Sequence, residues 1–126
     1  MIHRPLHPHE ARFPRGARLL KPAEFSRVFK QAVSSADDCF TILCRRSDQG
    51  RARLGLAIAK KSVKRAVDRN RLKRVVRESF RHHQRHLHGM DCVVMARREL
   101  PLGDRRRLHG SLEQHWKRLA RRCNET

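Results

Sequence analysis

The stretch Lys60-Lys61-Ser62-Val63-Lys64-Arg65-Ala66-Val67-Asp68-Arg69-Asn70-Arg71-Leu72-Lys73-Arg74-Val75-Val76-Arg77-Glu78-Ser79-Phe80-Arg81 decides how this chain is read. It sets ten Lys or Arg against two acids, Asp68 and Glu78. From Ala66 onward, Leu72, Val75, Val76, Ser79 and Phe80 recur at i, i+3, i+4, i+7 and i+8, which predicts a helix with one apolar or small stripe. At about 3.6 residues per turn, Asn70, Arg74, Arg77 and Arg81 share the opposite side, flanked by Arg71 and Lys73. That front is too charged to lie against protein. Like charges crowded this way repel unless a polyanion or counter-ions neutralise them. Phosphate is the natural partner, and the planar fork of Arg matches it best.

The whole chain extends the same theme. Its 126 residues carry a formal charge of +19, with 34% charged and 38% hydrophobic residues. That length supports one domain with a modest core under a basic surface. The charge excess points to nucleic acid or an anionic membrane face. No apolar run is long enough to span a membrane, and no apolar stretch follows the N-terminal charges as a secretory signal requires. A cytoplasmic location is therefore expected. Cys39, Cys44, Cys92 and Cys123 show no Cys-x-x-Cys spacing, and Cys39 and Cys44 fall on opposite faces of a predicted strand. Neither a disulfide nor a zinc site is expected; the cysteines read as reduced, small apolar residues.

Residues 1–17, with Pro5, Pro8, Pro14 and Gly16, read as a flexible basic arm. Pro22 and Glu24 suit the first turn of a short helix, on which Phe25, Val28, Phe29 and Ala32 make one apolar face. Spacing alone assigns both rings to the core rather than to a base-stacking groove. Asp38 to Arg46 reads as a strand with Phe40, Ile42 and Cys44 on one face and Cys39, Thr41 and Leu43 on the other. A turn at 47–50 leads into Arg51 to Ala59, expected as the returning strand of a hairpin, bulky on one face and small on the other. The small face leaves room for a helix or a ligand to approach.

After Phe80, His82 and His86 have the spacing of a helical metal-binding pair, and Gly89 suits a helix stop. No nearby carboxylate or cysteine completes a ligand set, so surface histidines are expected. Asp91 to Ala96 suits a strand buried on both faces. A last helix from Asp104 or Arg105 carries Leu108, Leu112, Trp116, Leu119 and Cys123 as its stripe, with Trp116 as a core anchor. The order is helix, two or three strands, helix, strand, helix. It implies an α/β (α+β) sandwich with one mixed sheet over 18–122 as a single RNA-binding domain, followed by a tail at 123–126.

The twelve acids are scattered; no phosphate-cradling Gly-rich loop and no nucleophile elbow is present. Electrostatics and a groove are on offer, not an acid–base or metal-cage constellation. With no helix-turn-helix or other groove-reading motif, RNA is preferred over duplex DNA.

Arg69-Asn70-Arg71-Leu72-Lys73-Arg74-Val75-Val76-Arg77, preceded by Ala57-Ile58-Ala59-Lys60-Lys61 and followed by Glu78-Ser79-Phe80, closely resembles the Arg-Asn-Arg signature of the bacterial ribonuclease P protein subunit. Arg18-Leu19-Leu20, Phe25-Ser26-Arg27-Val28-Phe29, Arg53-Leu54-Gly55-Leu56 and Met90-Asp91-Cys92-Val93-Val94 resemble that family in the expected order. The resemblance implies an αβββαβα two-layer sandwich with a left-handed crossover before the last strand. It implies a ribonucleoprotein endonuclease that removes the 5′ leader of precursor tRNA, in which the RNA subunit does the chemistry with Mg²⁺ and no protein side chain is catalytic. Carried over by position, Arg69, Asn70, Arg71, Lys73, Arg74 and Arg77, with Lys60 and Lys61, would meet RNA. Phe25, Phe29, Thr41 and Leu43 would line the leader cleft, which reverses the spacing-only reading of the rings. Leu43 stands where relatives can carry an aromatic ring, so stacking there is expected to be weaker. The implied partners are the catalytic RNA and precursor tRNA, with no membrane and no obligate protein partner. A ribosomal or ribosome-assembly RNA-binding protein is the alternative; a stand-alone metal nuclease built on His82 and His86 is a third reading.

Overall fold

The computed structural model describes residues 18–19, 21–47 and 50–124; the expected arm at 1–17 lies outside them. The elements are α1 (Pro22–Lys30), β1 (Val33–Ala36), β2 (Phe40–Arg46), β3 (Arg53–Leu56), α2 (Ala66–His82), β4 (Met90–Ala96) and α3 (Arg105–Asn124). They form one mixed sheet in the order β1-β2-β4-β3, giving the α+β architecture expected. β4 is central because every residue but Met95 is buried; only a strand flanked on both edges and covered on both faces can be that apolar.

One pairing differs from expectation. β2 and β3 do not form a hairpin: β4 lies between them, antiparallel to β2 and parallel to β3. The local turn is outcompeted by the more apolar strand, and Ser47 N donates to Gly89 O (2.7 Å), leading the end of β2 to the start of β4. β3 is also shorter than Arg51 to Ala59, although Ala57 N still donates to Val94 O (2.9 Å) beyond its end. The parallel β3 and β4 are joined through α2, a crossover connection.

The cysteine reading is corrected in part. Cys44 and Cys92 are direct cross-strand partners with Cα atoms 4.3 Å apart, and they are joined as a disulfide. A separation of 48 residues hid a pairing that only strand register creates. Cys39 and Cys123 stay outside any disulfide and are buried as small apolar residues.

One sheet face, carrying Phe40, Ile42, Leu54 and Val94, packs against the buried stripe of α2 and the Leu108, Leu112, Trp116, Leu119 and Cys123 stripe of α3. Trp116 sits edge-on to Phe80 at 5.5 Å, and its indole N–H donates to Ser79 Oγ (2.9 Å), which explains a serine on the stripe. α3 runs to Asn124, two residues into the stretch read as a tail. α2 ends at His82, before Gly89; His83 N–H turns back to Phe80 O, and Gly89, with φ +76°, serves the turn into β4 instead. His86 is therefore past the helix, and His82 and His86 do not share a helical face.

A polar lock joins α3 to β1. Asp37, in the β1–β2 turn, accepts from the Cys39 and Phe40 amides (both 2.9 Å) and from Ser111 Oγ. Buried His115 places Nδ1 2.7 Å from Ser35 Oγ and Nε2 3.1 Å from Asp37 Oδ1. Arg118 also donates to Ser35 Oγ (2.9 Å). Burial opposes the charge of Asp37, but the Ser111 hydroxyl, the two amides and His115 outweigh it and hold the carboxyl at about 2, against an ordinary 3.8. A depressed carboxylate stabilises the fold above its ordinary value and stops doing so as pH falls through the depressed one. Asp37→Asn should thus lower the thermal midpoint at pH 7, and the difference from wild type should shrink between about pH 4 and pH 2; a pH-independent difference would mean that its charge is unimportant.

Candidate nucleic-acid interface

α2 buries Leu72, Val75, Val76, Ser79 and Phe80, and so turns its cationic side away from the sheet. Asn70, Arg71 and Arg74 are exposed, Lys73 and Arg77 half-buried, and Lys60 and Lys61 exposed in the approach to the helix. Arg69 behaves differently. Its guanidinium donates to Val63 O (3.0 Å) and Lys64 O (2.8 Å), clipping the lysine-rich approach against the first turn. It shapes the surface more than it extends it.

On the other sheet face lies α1, seated by Val28, which is fully buried, over Val93. Its position is fixed by charge. Glu24 accepts from Lys21 N (2.9 Å) at the helix start and from Arg53 (2.7 Å). Arg53 in turn grips Asp91 with two 2.8 Å hydrogen bonds. Arg53 is 8% exposed and Asp91 3%, so the pair is out of water. At the far end of the helix, Arg45 donates to Arg27 O (2.8 Å).

This seating separates the two rings. Phe25 lies on Gly55, where a Cβ would stand 2.7 Å from its ring, so the small sheet face accepts a helix side chain. Phe29 is 49% exposed; on the sheet, Leu43 and Met95 are half-buried against the α1-side cluster, and Thr41, in register with Met95, is half-buried too. Met95 was not singled out from sequence. The rings thus play unlike parts: Phe25 plugs the seam against Gly55, and Phe29 stays half-exposed.

Ridge and groove meet at the β3 edge. Arg18 bridges to Leu54 there, and a cavity of about 150 Å³ lies among Arg18, Leu19, Phe25, Leu54, Lys73 and Arg77. Burial, then the like charge of Arg18, lowers the pKa of Arg77. Glu24, Arg53, Asp91, Gly55 and Arg18 all escaped the reading as site-forming residues. The available signal was a charged residue within or at the start of an otherwise apolar strand, which demands a buried partner.

The family model described as Ribonuclease P matches residues 13–120. The chain belongs to the ribonuclease P protein family. It is 49% identical over 111 residues to the ribonuclease P protein component of Thioalkalivibrio sulfidiphilus, covering 88% of this chain and 92% of that protein. It is 47% identical to that of Methylococcus capsulatus over 112 residues, 89% and 88% of the two. The Staphylococcus aureus RNase P protein superposes with a TM-score of 0.68 at 34% identity, over 78% of this chain and 90% of that one. The Thermotoga maritima RNase P protein gives 0.67 at 32% identity, over 82% and 96%. Membership ties the chain to a tRNA-processing endoribonuclease that contains RNA; the ribosomal alternative finds no support in these relatives. Among the described residues, no helix is long and apolar enough to cross a membrane.

The seat of α1 depends on the buried Arg53, which joins Glu24 to Asp91. Arg53→Ala leaves Asp91 buried without its partner, and should cost about 3–5 kcal/mol in urea unfolding. A loss below about 1 kcal/mol would mean that the pair does not hold the fold together.

Proposed function

We propose that this chain docks on the catalytic RNA of ribonuclease P through the α2 ridge, and holds the 5′ leader of precursor tRNA in the groove beside α1. The supporting observation is the ridge itself. Arg71 and Arg74 stand exposed, and the two acids of α2 are met by other arginines: Asp68 lies 3.9 Å from Arg65, and Glu78 3.5 Å from Arg105. Arg71, Lys73, Arg74 and Arg77, with Lys60 and Lys61, replace cations condensed on RNA, so affinity falls with salt, while the neutral amide of Asn70 contributes hydrogen bonds only. Arg69 holds their approach loop in place. In the groove, Phe29 offers a face to a base, with Phe25 behind it and Thr41 and Leu43 as the sheet wall. Stacking of this kind tolerates any sequence and contributes roughly 1–3 kcal/mol per base. Residues 18–122 act as one RNA-binding unit in the cytoplasm.

Cleavage is assigned to the RNA, with Mg²⁺ held there and on the substrate. The donor chemistry of the chain supports this division. The one cluster of possible ligands among the described residues is Asp37, Asp38 and Cys39. Its carboxylates already accept from two amides and Ser111, and pair with Arg107. It does not fit a catalytic magnesium site.

Added to a bacterial ribonuclease P RNA and a precursor tRNA at low Mg²⁺, the protein should restore cleavage; no gain would sink the reading. Arg74→Ala with Arg77→Ala should weaken RNA binding and reduce the salt slope by about two contacts, while the melting temperature stays near wild type. A collapse in stability would show those side chains to be structural. Phe29→Ala should weaken precursor tRNA binding about tenfold or more and leave mature tRNA binding unchanged. Equal losses for both tRNAs would remove the leader from the groove.

A further inference from the structure

We propose that the cavity between α2 and the start of α3 receives an unpaired nucleotide of the RNA partner, its base on an apolar floor and its phosphate on arginines from both helices. The inference rests on the α2 ridge meeting RNA; it shares Arg71 and Arg74 with that ridge and adds the start of α3 as a second wall. The cavity measures about 570 Å³, within the ~300–1,000 Å³ range of small-ligand pockets. Leu72, Val75 and Leu108, all buried, make the floor, and Leu102 on the connecting loop is 37% exposed at the rim. Arg71 and Arg74 stand on the α2 side and Arg105 on the α3 side, all exposed. The single lining acid, Asp68, lies 3.9 Å from Arg65.

An apolar floor with a cationic rim matches the two halves of a nucleotide. Splayed-out bases in RNA loops are held on apolar surfaces and on the planes of Arg guanidinium groups, while those groups also fork onto phosphates. A purely apolar peptide would leave the rim uncompensated, and a duplex would leave the floor empty. Arg105, Arg106 and Arg107 fill the first turn of α3, where the helix field is already positive; Asp104 caps that turn, and Glu78 and Asp38 answer Arg105 and Arg107. On the α2 wall Arg71 and Arg74 have no ion-pair partner among the described residues, and a phosphate at the rim supplies the missing negative charge.

The test places a photo-reactive benzophenone on Leu102→Cys and, separately, on Asn70→Cys in the full chain, assembled with a bacterial ribonuclease P RNA. Cys39 and Cys123 are buried and stay unlabelled. Both probes should crosslink, and the adduct at 102 should map to an unpaired nucleotide. A crosslink at 70 with none at 102, or one at 102 confined to paired duplex, overturns this inference alone. Silence at both positions overturns the ridge reading as well. Leu102→Ala should weaken RNA binding about fivefold with the salt slope unchanged, whereas Arg105→Ala should lower the slope by about one. A Leu102→Ala protein of wild-type affinity overturns the floor.

Discussion

Arg53 lies inside the protein, and everything about the groove follows from how its charge is met. A buried guanidinium without partners would cost several kcal/mol, so the fold must bring carboxylates to it. Asp91 comes from the neighbouring central strand and Glu24 from α1. The first bond fixes the row of the sheet; the second fixes where the helix lies. An apolar contact such as Val28 over Val93 tolerates sliding, whereas a forked ion pair does not. The triad therefore acts more as a positioning device than as a source of net stability. It determines which ring of α1 meets Gly55 and which one is left open.

The same logic sorts the acids of this basic chain. Asp91, Glu24 and Asp37 hold α1, the sheet and α3 together, and Asp38, Asp68 and Glu78 face arginines outside the core. Asp104 accepts from Arg107 N (3.0 Å) at the start of α3. With the acids engaged in structure, the ridge of α2 keeps its cations for an external anion. A formal charge of +19 is thus not a uniform coat: carboxylates close the core and the seams, and the cations gather on the surface above them.

Much of this was legible from spacing. Stripes at helical period placed α2 and α3 correctly, because a surface helix is held chiefly by burying one face. The short apolar run within Asp91 to Ala96 marked a central strand, observed as Met90–Ala96. Strand order was not legible. A turn at 47–50 and two alternating runs describe a hairpin locally, and only competition with β4 for the same edge reverses that pairing. The disulfide of Cys44 and Cys92 was hidden for the same reason, since register across distant strands leaves no mark on spacing. His115 was overlooked although it falls on the stripe, three residues after Leu112 and four before Leu119, because a titratable ring was not counted among apolar positions; its ring closes the contact from α3 to Ser35 and Asp37. In the groove, the helical period gave both rings one face; only the missing side chain of Gly55 distinguishes them.

Ridge and groove differ in how they depend on the solution. On the proposed reading, contacts from Arg71, Arg74 and Lys73 to phosphate would draw their free energy from released counter-ions and weaken with each increment of salt. A base against Phe29 and Leu43 would instead be held by burial and stacking, which salt does not screen. The two surfaces are joined at the β3 edge by the small cavity of Arg18, Lys73 and Arg77 beside Phe25. A strand leaving the groove there would pass at once from an uncharged surface to a cationic one. High salt would then detach RNA from the ridge while the groove kept its intrinsic grip on a single strand. The dependence of affinity on salt would therefore report how much of the bound RNA lies on the ridge side of that edge.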